Sequence, residues 1–296
     1  MSEVARVPSV PLRRPMRHGV PILKRLIASC CKHAVLLMFS AFFIFPFIWM
    51  LSTSLKSNTQ VFAYPPVWIP HPIVWHNYLA AVKEIAFFHE MANSLRYAVL
   101  SACGACLSSP LVAYGFTKIR WPGRDVFFFA TLALLMLPGQ VTLVPLFLEF
   151  HRLQWVGSYK PLIVPAFFGN PFAIFLARQF LRQVPNEMLE AARIDGAGEL
   201  RIYWRIVLPS ILPAIATIGL FQFLGAYHDF LGPLIYISRQ SRYPLSIGLT
   251  FFEHIYSTQW QQLMAASALY TAPVLVVYFF VQRVFIRGIQ FSGLVG

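Results

Sequence analysis

Six stretches of the chain are apolar and contain no Asp, Glu, Lys or Arg. Each has 17 to 23 residues, and a helix rises about 1.5 Å per residue, so most are long enough to cross the roughly 30 Å hydrocarbon core of a bilayer. The pattern therefore predicts an all-α integral membrane protein with six membrane-spanning helices. The stretches are 34–55, 97–117, 126–148, 161–177, 206–228 and, in its apolar part, 263–282.

Composition and charge agree with a membrane protein and predict its orientation. Hydrophobic residues make up 57% and charged residues 12% of the chain, and the formal net charge is +13. In a soluble protein that charge would favour nucleic acid as a partner. Here seventeen Lys and Arg fall in the segments on one side of the predicted membrane and six on the other. The positive-inside rule then predicts both termini in the cytoplasm. Because this orientation accounts for the excess of positive charge, no nucleic-acid partner is expected. The seventeen lie in 1–33, 118–125, 178–205 and 283–296, and the six in 56–95, 149–160 and 231–262.

The predicted organisation is one six-helix membrane domain, residues 34–290, between a basic cytoplasmic tail, 1–33, and a short tail, 291–296. The first apolar run is longer than the apolar core of a secretory signal peptide and lacks an obvious small-residue cleavage site. We therefore expect it to remain in the protein as an anchor.

Two segments with their own character are predicted on the outer side. Residues 56–76 are rich in Pro and Trp, which is typical of an extended loop near the membrane interface, and 77–92 has apolar residues at helical spacing, which predicts a surface helix. Residues 231–262 form a polar outer loop that carries several aromatic side chains.

The sequence lacks the common catalytic and metal-binding patterns. There is no GxxxxGK phosphate loop, no HExxH and no GxSxG, and the single CxxC has no second Cys or His pair. The chain is therefore predicted to be neither an enzyme nor a metal protein, and uphill transport would depend on an ATPase in another polypeptide. Four histidines at loop or helix ends are interpreted as solvated side chains without a role: His33, His89, His151 and His254.

The cytoplasmic segment 178–205 contains the most informative local pattern. Pro185 and Asn186 predict a helix start, because Asn can cap the free amides of a first turn, and Gly196 predicts its end, because glycine adopts the left-handed conformation without steric cost. The predicted helix, 187–195, would be about 14 Å long. A helix this short needs a surface on which to dock. The alternative is a plain connector between two membrane helices.

After Gly196 a second helical stretch is predicted from Glu199 to Leu208. The whole segment resembles the signature of the membrane subunits of ATP-binding cassette (ABC) importers, which is Glu-Ala-Ala, three residues, Gly, nine residues and Ile-x-Leu-Pro. The signature falls on Glu190, Ala191, Ala192, Gly196, Ile206, Leu208 and Pro209. Further motifs from about residue 45 onward resemble the carbohydrate branch of this family, specifically its six-helix, maltose-type inner-membrane subunit. They are Phe45-Pro46-Phe47, Ser54-Leu55-Lys56-Ser57, Asn93-Ser94-Leu95, Pro122-Gly123-Arg124, Leu137-Pro138-Gly139-Gln140, Arg178-Gln179-Phe180, Asp229-Phe230-x-x-Pro233-Leu234 and Gln282-Arg283-x-Phe285.

This resemblance implies the type I ABC importer permease fold, in the inner membrane of a bacterium. It implies a second, homologous permease, two copies of an ABC ATPase that bind ATP and Mg²⁺, an extracytoplasmic solute-binding protein, and contact with membrane lipid. No cofactor of this chain's own is implied. The implied substrate is a sugar or oligosaccharide. Glycerol phosphate or another polyol remains the alternative, because Arg96, Arg239 and Arg242 near the outer face are compatible with a phosphorylated solute. Arginines in such places are more often contacts to lipid or to a loop.

The resemblance also assigns roles to two segments. In the cytoplasmic loop 185–209, the helix would couple the membrane domain to the ATPase, and the outer loop 231–262 would contact the binding protein. An outer loop that is only anchored at the interface is the alternative. The expected coupling residues are Glu190, Ala191, Ala192, Asp195, Gly196, Ile206, Leu208 and Pro209. The expected binding-protein contacts are Thr250, Phe251, Phe252, Glu253 and Trp260.

Polar residues inside the predicted spans are few and costly in lipid. Gln140, Asn170 and Gln222 are predicted either to line the substrate path or to bridge helices and satisfy carbonyls freed by prolines. Asp229, near the outer boundary, is predicted to form a structural ion pair or a cap. Small residues of the second span predict close helix packing. They are Ser101, Ala102, Gly104, Ala105 and Ser108.

Two departures from the family pattern affect the outer face and the tail. Tyr227-His228 stands where the family usually has Trp-Asn, which would alter the path near the outer face, and Leu294-Val295 replaces a usual Lys.

Two other functional classes are disfavoured. A stand-alone secondary transporter would show inverted repeats with interrupted helices or intramembrane acid pairs, and a membrane enzyme would need a cluster of titratable residues at one depth.

Overall fold

The computed structural model describes residues 22–253 and 258–292, in which the regular structure is helical apart from one isolated β-bridge. The chain divides into two units, one up to Trp49 and one from Met50 onward. The α-helices are α1 (Ile22–Ser54), α2 (Asn58–Val61), α3 (His76–Glu84), α4 (Phe87–Thr117), α5 (Arg124–Ala133), α6 (Gly139–Arg152), α7 (Lys160–Ile163), α8 (Pro171–Leu181), α9 (Asn186–Ile194), α10 (Glu199–Ile202), α11 (Leu208–Ser210), α12 (Leu212–Tyr227), α13 (Leu231–Tyr236), α14 (Leu245–Gly248) and α15 (Trp260–Ser292).

Within the described residues, four helical stretches are long and apolar enough to cross a membrane, and the number rises to six if two bent helix pairs each count as one span. The six stretches predicted from the sequence fall on these elements, which confirms the all-α membrane fold. The four are Ser29–Ser54, Phe87–Thr117, Lys160–Leu181 and Trp260–Arg283, and the bent pairs are Arg124–Met136 with Gly139–Arg152 and Glu199–Ser210 with Leu212–Tyr227.

The prediction of unbroken spans over 126–148 and 206–228 was wrong. The first pair bends by 103° and the second by 79°. At the first bend Leu137 is extended before Pro138, because the proline ring disfavours helical backbone in the preceding residue. At the second bend Ile211 leaves the helical region between Pro209 and Pro213, each of which lacks an amide for the helix ladder.

Two other predicted boundaries shift for similar local reasons. The run 161–177 contains α7, a 3₁₀ turn over Val164–Phe168 and α8, with a break at Gly169, where φ is 97°. The surface helix predicted over 77–92 ends with α3 at Glu84, since Ile85 is extended, and α4 begins ten residues before the predicted start of the second span.

The small residues of α4 allow close packing, as the sequence predicted. The helix lies against the 3₁₀ turn Val164–Phe168, and a Cβ on Gly104 would lie 2.7 Å from Phe167 Cδ2 and 3.1 Å from the backbone of Ala166. Ser108 Oγ lies within hydrogen-bonding distance of two carbonyl oxygens, at 2.8 Å from Gly104 O and 2.9 Å from Ala166 O. Gly104 therefore sets the distance between α4 and this turn.

Gly104→Ala should destabilise the protein, whereas Gly115→Ala on the same helix should not. The new methyl group at position 104 would overlap Phe167 and the Ala166 backbone, while the space around Gly115 is open within 4 Å. We expect a cost of about 1–3 kcal/mol for overpacking at position 104, and a neutral or slightly favourable effect at 115, because Ala has the higher helix propensity. Thermal unfolding of the two detergent-purified variants measures the difference. Equal midpoints for both would contradict the packing account.

Candidate functional site

Helix α9 coincides with the helix predicted over 187–195 to within one residue at each end. Gly196 terminates it with φ of 77°. The Ala197 amide donates to Ala192 O at 2.9 Å, which is the hydrogen bond of a Schellman motif. The predicted end is therefore confirmed. The predicted cap was wrong, because Pro185 occupies the N-cap position and Asn186 is the first helical residue.

The underside of α9 is fixed to the body of the membrane domain at its first turn. Leu189 is 1% exposed and packs in the same cluster as Ala177 and Leu181 of α8. Lys118, just after α4, donates from Nζ to Val184 O at 2.6 Å and to Asn186 Oδ1 at 2.8 Å. Burial lowers the pKa of Lys118, and the nearby Glu187 carboxylate opposes that shift. The start of α9 is thus held by the end of α4.

A second set of contacts fixes the end of α9. Arg193 Nε donates to Glu199 Oε1 at 2.7 Å, and the Tyr114 hydroxyl donates to Glu199 Oε2 at 2.5 Å. The hydrogen bond that Arg193 donates to Glu199 raises the pKa of Arg193. Tyr114 lies on α4, so Glu199 joins the end of α9 to the same helix that holds its start. The sequence analysis missed Tyr114, Lys118 and Glu199; the opposite charges of Arg193 and Glu199 across the Gly196 turn were the only signal available.

The outward face of α9 offers both charge and apolar surface. Glu190, Ala191 and Asp195 are exposed, and Ile194 is 86% exposed. Ala191 is the exposed alanine of the signature, whereas Ala192 is half-buried and packs against the core. The exposed face of α9 is therefore short and partly apolar, and it carries the carboxylates of Glu190 and Asp195.

The second half of the signature has a structural role. Ile206 and Leu208 are half-buried and pack against the same core cluster as Leu189. Pro209 is exposed and lies just before the 79° bend. After the Gly196 turn, the chain from α10 to α12 is helical, with a π-helical turn over Tyr203–Val207 and the bend at Ile211.

The three candidate path residues are not joined by any hydrogen bond in residues 22–253 and 258–292. Gln140 is exposed in the first turn of α6, directly after the 103° bend, and Gln222 is half-buried on α12. Asn170 caps α8, where its Oδ1 accepts from the amides of Phe172 and Ala173 at 2.9 and 3.2 Å. Its side-chain oxygen therefore caps free amides of α8, which is a structural role but not the predicted one of satisfying carbonyls freed by prolines.

Asp229 and Tyr227 also have structural roles near the end of α12. Asp229 accepts from the Tyr97 hydroxyl at 2.8 Å and from the Gly232 amide in the first turn of α13 at 3.0 Å, while Phe230 occupies the N-cap position of that helix. Tyr227 is fully buried and stacks on Tyr270 of α15 at 4.6 Å between ring centroids. Each hydroxyl of this pair donates to the other residue's carbonyl oxygen. The Tyr227 side chain lies in the core rather than on an exposed path, while His228 is exposed.

The segment 231–262, predicted as a polar loop, contains α13, α14, 3₁₀ turns and the start of α15. Thr250, Phe251, Glu253 and Trp260 are exposed, as a contact surface requires. Phe252 is 0% exposed in the core, so its assignment to that surface was wrong. Residues 254–257, with His254 and Tyr256, lie outside the described residues, as do the tails 1–21 and 293–296.

Polar side chains of α4 hold the segment 231–262 in place. The Asn93 amide donates to Ser241 O and Tyr243 O at 3.3 and 3.1 Å, and Ser94 Oγ accepts from the Leu245 amide at 2.8 Å. His89 Nε2 lies 2.6 Å from Ser241 O. His89 is exposed, as expected for a solvated side chain, and its contact with Ser241 O adds a partner that the sequence did not indicate.

Comparisons with known proteins agree with this architecture. Residues 109–291 match the family described as binding-protein-dependent transport system inner membrane component. The arabinooligosaccharides transport system permease protein AraQ of Halalkalibacterium halodurans is 29% identical, over 86% of this chain and 91% of its own length. The diacetylchitobiose uptake system permease protein NgcG of Streptomyces coelicolor is 30% identical, over 86% and 85%. The sn-glycerol-3-phosphate transport system permease protein UgpE of Yersinia enterocolitica is 33% identical, over 87% and 94%.

Among solved structures, a chain of a bacterial ABC transporter involved in the import of the acidic polysaccharide alginate shares the fold. It superposes with a TM-score of 0.76 at 24% identity and covers 88% of this chain and 97% of its own. A chain of the MetNI methionine ABC transporter, in an inward-facing form, matches with a TM-score of 0.52 at 14% identity, over 68% and 95%.

Proposed function

The chain belongs to the family of binding-protein-dependent transport system inner membrane components, and on that premise we propose that α9 is the element through which a separate ATPase drives it. The observation that carries the proposal is the outward face of α9, with Glu190, Ala191 and Ile194 exposed on a helix whose other side is fixed to the membrane domain. A nine-residue helix is not stable alone. Its fixed underside makes it rigid enough to transmit a rigid-body motion.

The coupling would use the two attachments of α9 to α4. A partner bound to the outward face would move α9 together with its packed Leu189 side chain and its contacts to Lys118 and Glu199. The Lys118 and Glu199 contacts connect α9 to the C-terminal end of the membrane helix α4. Glu190 supplies a carboxylate for a charge-assisted hydrogen bond to a cationic side chain of the ATPase. Gly196 keeps the turn that returns the chain to α10.

The proposed assembly contains a second, homologous permease and two copies of the ATPase, with ATP and Mg²⁺ bound by the ATPase subunits. An extracytoplasmic binding protein delivers the solute. This chain is a transport subunit and carries out no hydrolysis of its own. Gln140 and Gln222 remain candidates for the path between the two permeases, and Asn170 would take part only through its position at the start of α8.

We propose that both termini and α9 lie in the cytoplasm, on the basis of the seventeen-to-six division of Lys and Arg. Single cysteines in a cysteine-free background should then react with an impermeant maleimide from outside at position 253 and only after permeabilisation at position 190. Both side chains are exposed, so burial does not explain a difference. The reverse pattern of labelling would overturn the orientation.

The outer segment is proposed to contact the binding protein through the exposed side chains of Thr250, Phe251, Glu253 and Trp260. Phe251→Ala with Glu253→Ala should keep assembly and basal ATP hydrolysis and should strongly reduce the stimulation of hydrolysis by solute-loaded binding protein. Phe252→Ala is the contrasting variant, because it empties a core site and should cost about 3–5 kcal/mol of stability. If the Phe251→Ala with Glu253→Ala variant were still fully stimulated by the binding protein, the segment would be only anchored at the membrane interface and would not contact the binding protein.

The proposed substrate class is a sugar or oligosaccharide. The names of two of the relatives described above mention sugars, and the name of the third mentions sn-glycerol 3-phosphate. A phosphorylated polyol is therefore the alternative. Titration of the cognate binding protein with arabino-oligosaccharides, chito-oligosaccharides and glycerol 3-phosphate separates the two classes. Binding of glycerol 3-phosphate alone would overturn the sugar assignment.

Interrupted helices, which the sequence analysis associated with stand-alone secondary transporters, do occur in this fold at the two bends. They do not favour that class here, because membership of the family makes the chain a component of a binding-protein-dependent system. The prolines beside each bend account for them locally.

A further inference from the structure

A basic recess lies at the turn that joins α4 to α5. It is open to the surface and has a volume of about 380 Å³. The turn connects two candidate membrane spans, so the recess lies at a membrane boundary, and the charge division assigns that boundary to the cytoplasmic leaflet. The lining residues are Arg120, Trp121, Gly123, Arg124, Asp125 and Val126.

The charges around the recess leave an excess of cations. The Asp125 carboxylate pairs with Arg124 Nε at 3.4 Å and with Arg178 Nη2 at 3.3 Å. Arg120 is exposed beside them. Arg120, Arg124 and Asp125 line the recess and Arg178 contacts the carboxylate from α8, so the three arginines exceed the one carboxylate by two positive charges. Arg178 also has a buried Nε without a hydrogen-bond partner among the described residues, and its guanidinium lies 3.7 Å from the centroid of the Phe128 ring.

The backbone of the recess also favours an anion. Gly123 is the N-cap of α5 with φ of 84°, and no side chain caps the first turn of this ten-residue helix. Uncapped amides at a helix start attract negative charge. These amides add to the excess of arginines.

An aromatic shelf borders the basic recess on its membrane side. The Trp121 ring lies 5.9 Å from Phe116 and 5.7 Å from Phe127 between centroids, and its indole N–H donates to Gly115 O at 3.1 Å. The indole is therefore fixed, and it remains 37% exposed. Val126 and Phe127 continue this surface with 72% and 60% of their area exposed. Tryptophan beside exposed apolar side chains is typical of residues at the headgroup level of a bilayer.

We propose that this recess binds the phosphate of an anionic phospholipid, with Arg120 and Arg124 on the headgroup and an acyl chain along Val126 and Phe127. Guanidinium groups suit the planar, bidentate recognition of phosphate. A free phosphate ion would use the arginines but not the apolar shelf, so the shelf favours the lipid. Lys118, which holds the start of α9, lies two residues from Arg120. A bound headgroup would therefore stiffen the end of α4 from which α9 is held.

Binding of phosphatidylglycerol to the delipidated protein, purified with its co-expressed partner subunits, tests the proposal. Native mass spectrometry would compare phosphatidylglycerol with phosphatidylcholine of the same chain length. Each cation near an anionic lipid surface contributes roughly a factor of five. Arg120→Gln with Arg124→Gln should therefore weaken phosphatidylglycerol binding about 30-fold and leave phosphatidylcholine unchanged.

Two further variants make the result specific. Arg120→Lys with Arg124→Lys keeps the charge and should retain most of the binding. Arg152→Gln with Arg239→Gln removes the same charge from exposed sites elsewhere and should not change phosphatidylglycerol binding. No preference for phosphatidylglycerol in the unmodified protein, or equal loss in the control variant, would overturn the proposal. Displacement of the lipid by inorganic phosphate at equal concentration would make the recess a free-anion site instead. Loss of the ATPase from the glutamine variant with lipid binding intact would make it a protein contact.

Discussion

Gly196→Val should abolish ATP-driven uptake while leaving the chain inserted in the membrane. Gly196 has φ of 77°, and a β-branched residue is strained there by roughly 1–2 kcal/mol. No atom lies within 4 Å of the added Cβ, so the effect would come from the backbone alone. Valine would favour a different backbone conformation at position 196. The orientation of α9 relative to α10 and to the Tyr114–Glu199 contact would then change.

Gly198→Val is the matched control for this substitution. Gly198 lies two residues further on, is extended with φ of −70° and ψ of 158°, and has open space around its Cβ. Valine fits that conformation, so uptake should remain close to normal. Uptake by vesicles reconstituted with the complete transporter measures both variants. Equal uptake by the two would show that the left-handed turn does not matter for coupling.

Glu190→Lys should act at the same site through charge rather than backbone. Glu190 is exposed on α9, so the substitution costs the isolated subunit little stability. It would place a cation where the proposed ATPase contact needs a carboxylate. Glu190→Gln, which keeps the shape and loses the charge, should retain more association than the lysine variant. Co-purification of the ATPase with each variant measures the order.

Gly248→Ala should disrupt the outer segment. A Cβ at position 248 would lie 1.7 Å from Glu90 Oε2 and 2.7 Å from its Cδ. Glu90 is 3% exposed, so the carboxylate has little room to move, and Oε2 has no hydrogen-bond partner among the described residues. We expect the overpacking to lower the free energy of unfolding by about 1–3 kcal/mol. Loss of thermal stability and of stimulation by the binding protein should appear together.

The double variant Gly248→Ala with Glu90→Ala should recover most of the loss. Removing the Glu90 carboxylate opens the space that the new methyl group needs, and it deletes a buried acid whose oxygen is unpartnered. Gly225→Ala on α12, with no atom within 4 Å of the new Cβ, is the neutral control. The same unfolding midpoint in the single and the double variant would contradict the contact between α4 and α14.

Local chemistry explains what the sequence could predict. The end of α9 at Gly196 depends on residues within one turn, and the number of apolar stretches depends on length and composition alone. The two bends also have local causes, because prolines flank both. They were missed because a long uncharged run was taken as a straight helix, although Leu137, Pro138 and Gly139 indicated a break.

Contacts between distant parts of the chain could not be predicted. Tyr114 and Glu199 are 85 residues apart, and His89 and Ser241 are 152 apart. No periodicity or spacing connects such pairs. Phe251 and Phe252 are adjacent and chemically identical, yet one is 40% exposed and the other is in the core. Only the packing of α4, α12 and α15 around Phe252 distinguishes them.

Cross-linking from α9 to the ATPase tests the central claim most directly. In a cysteine-free background, Ala191→Cys would present its thiol on the exposed face of α9, and Ala192→Cys would present it toward the core. A short bis-maleimide reagent should join position 191, and not position 192, to a single cysteine in the ATPase within purified transporter, and addition of ATP should change the yield. Equal, nucleotide-independent yields at both positions, or no product at position 191 in a complex that hydrolyses ATP normally, would show that α9 is only a connector.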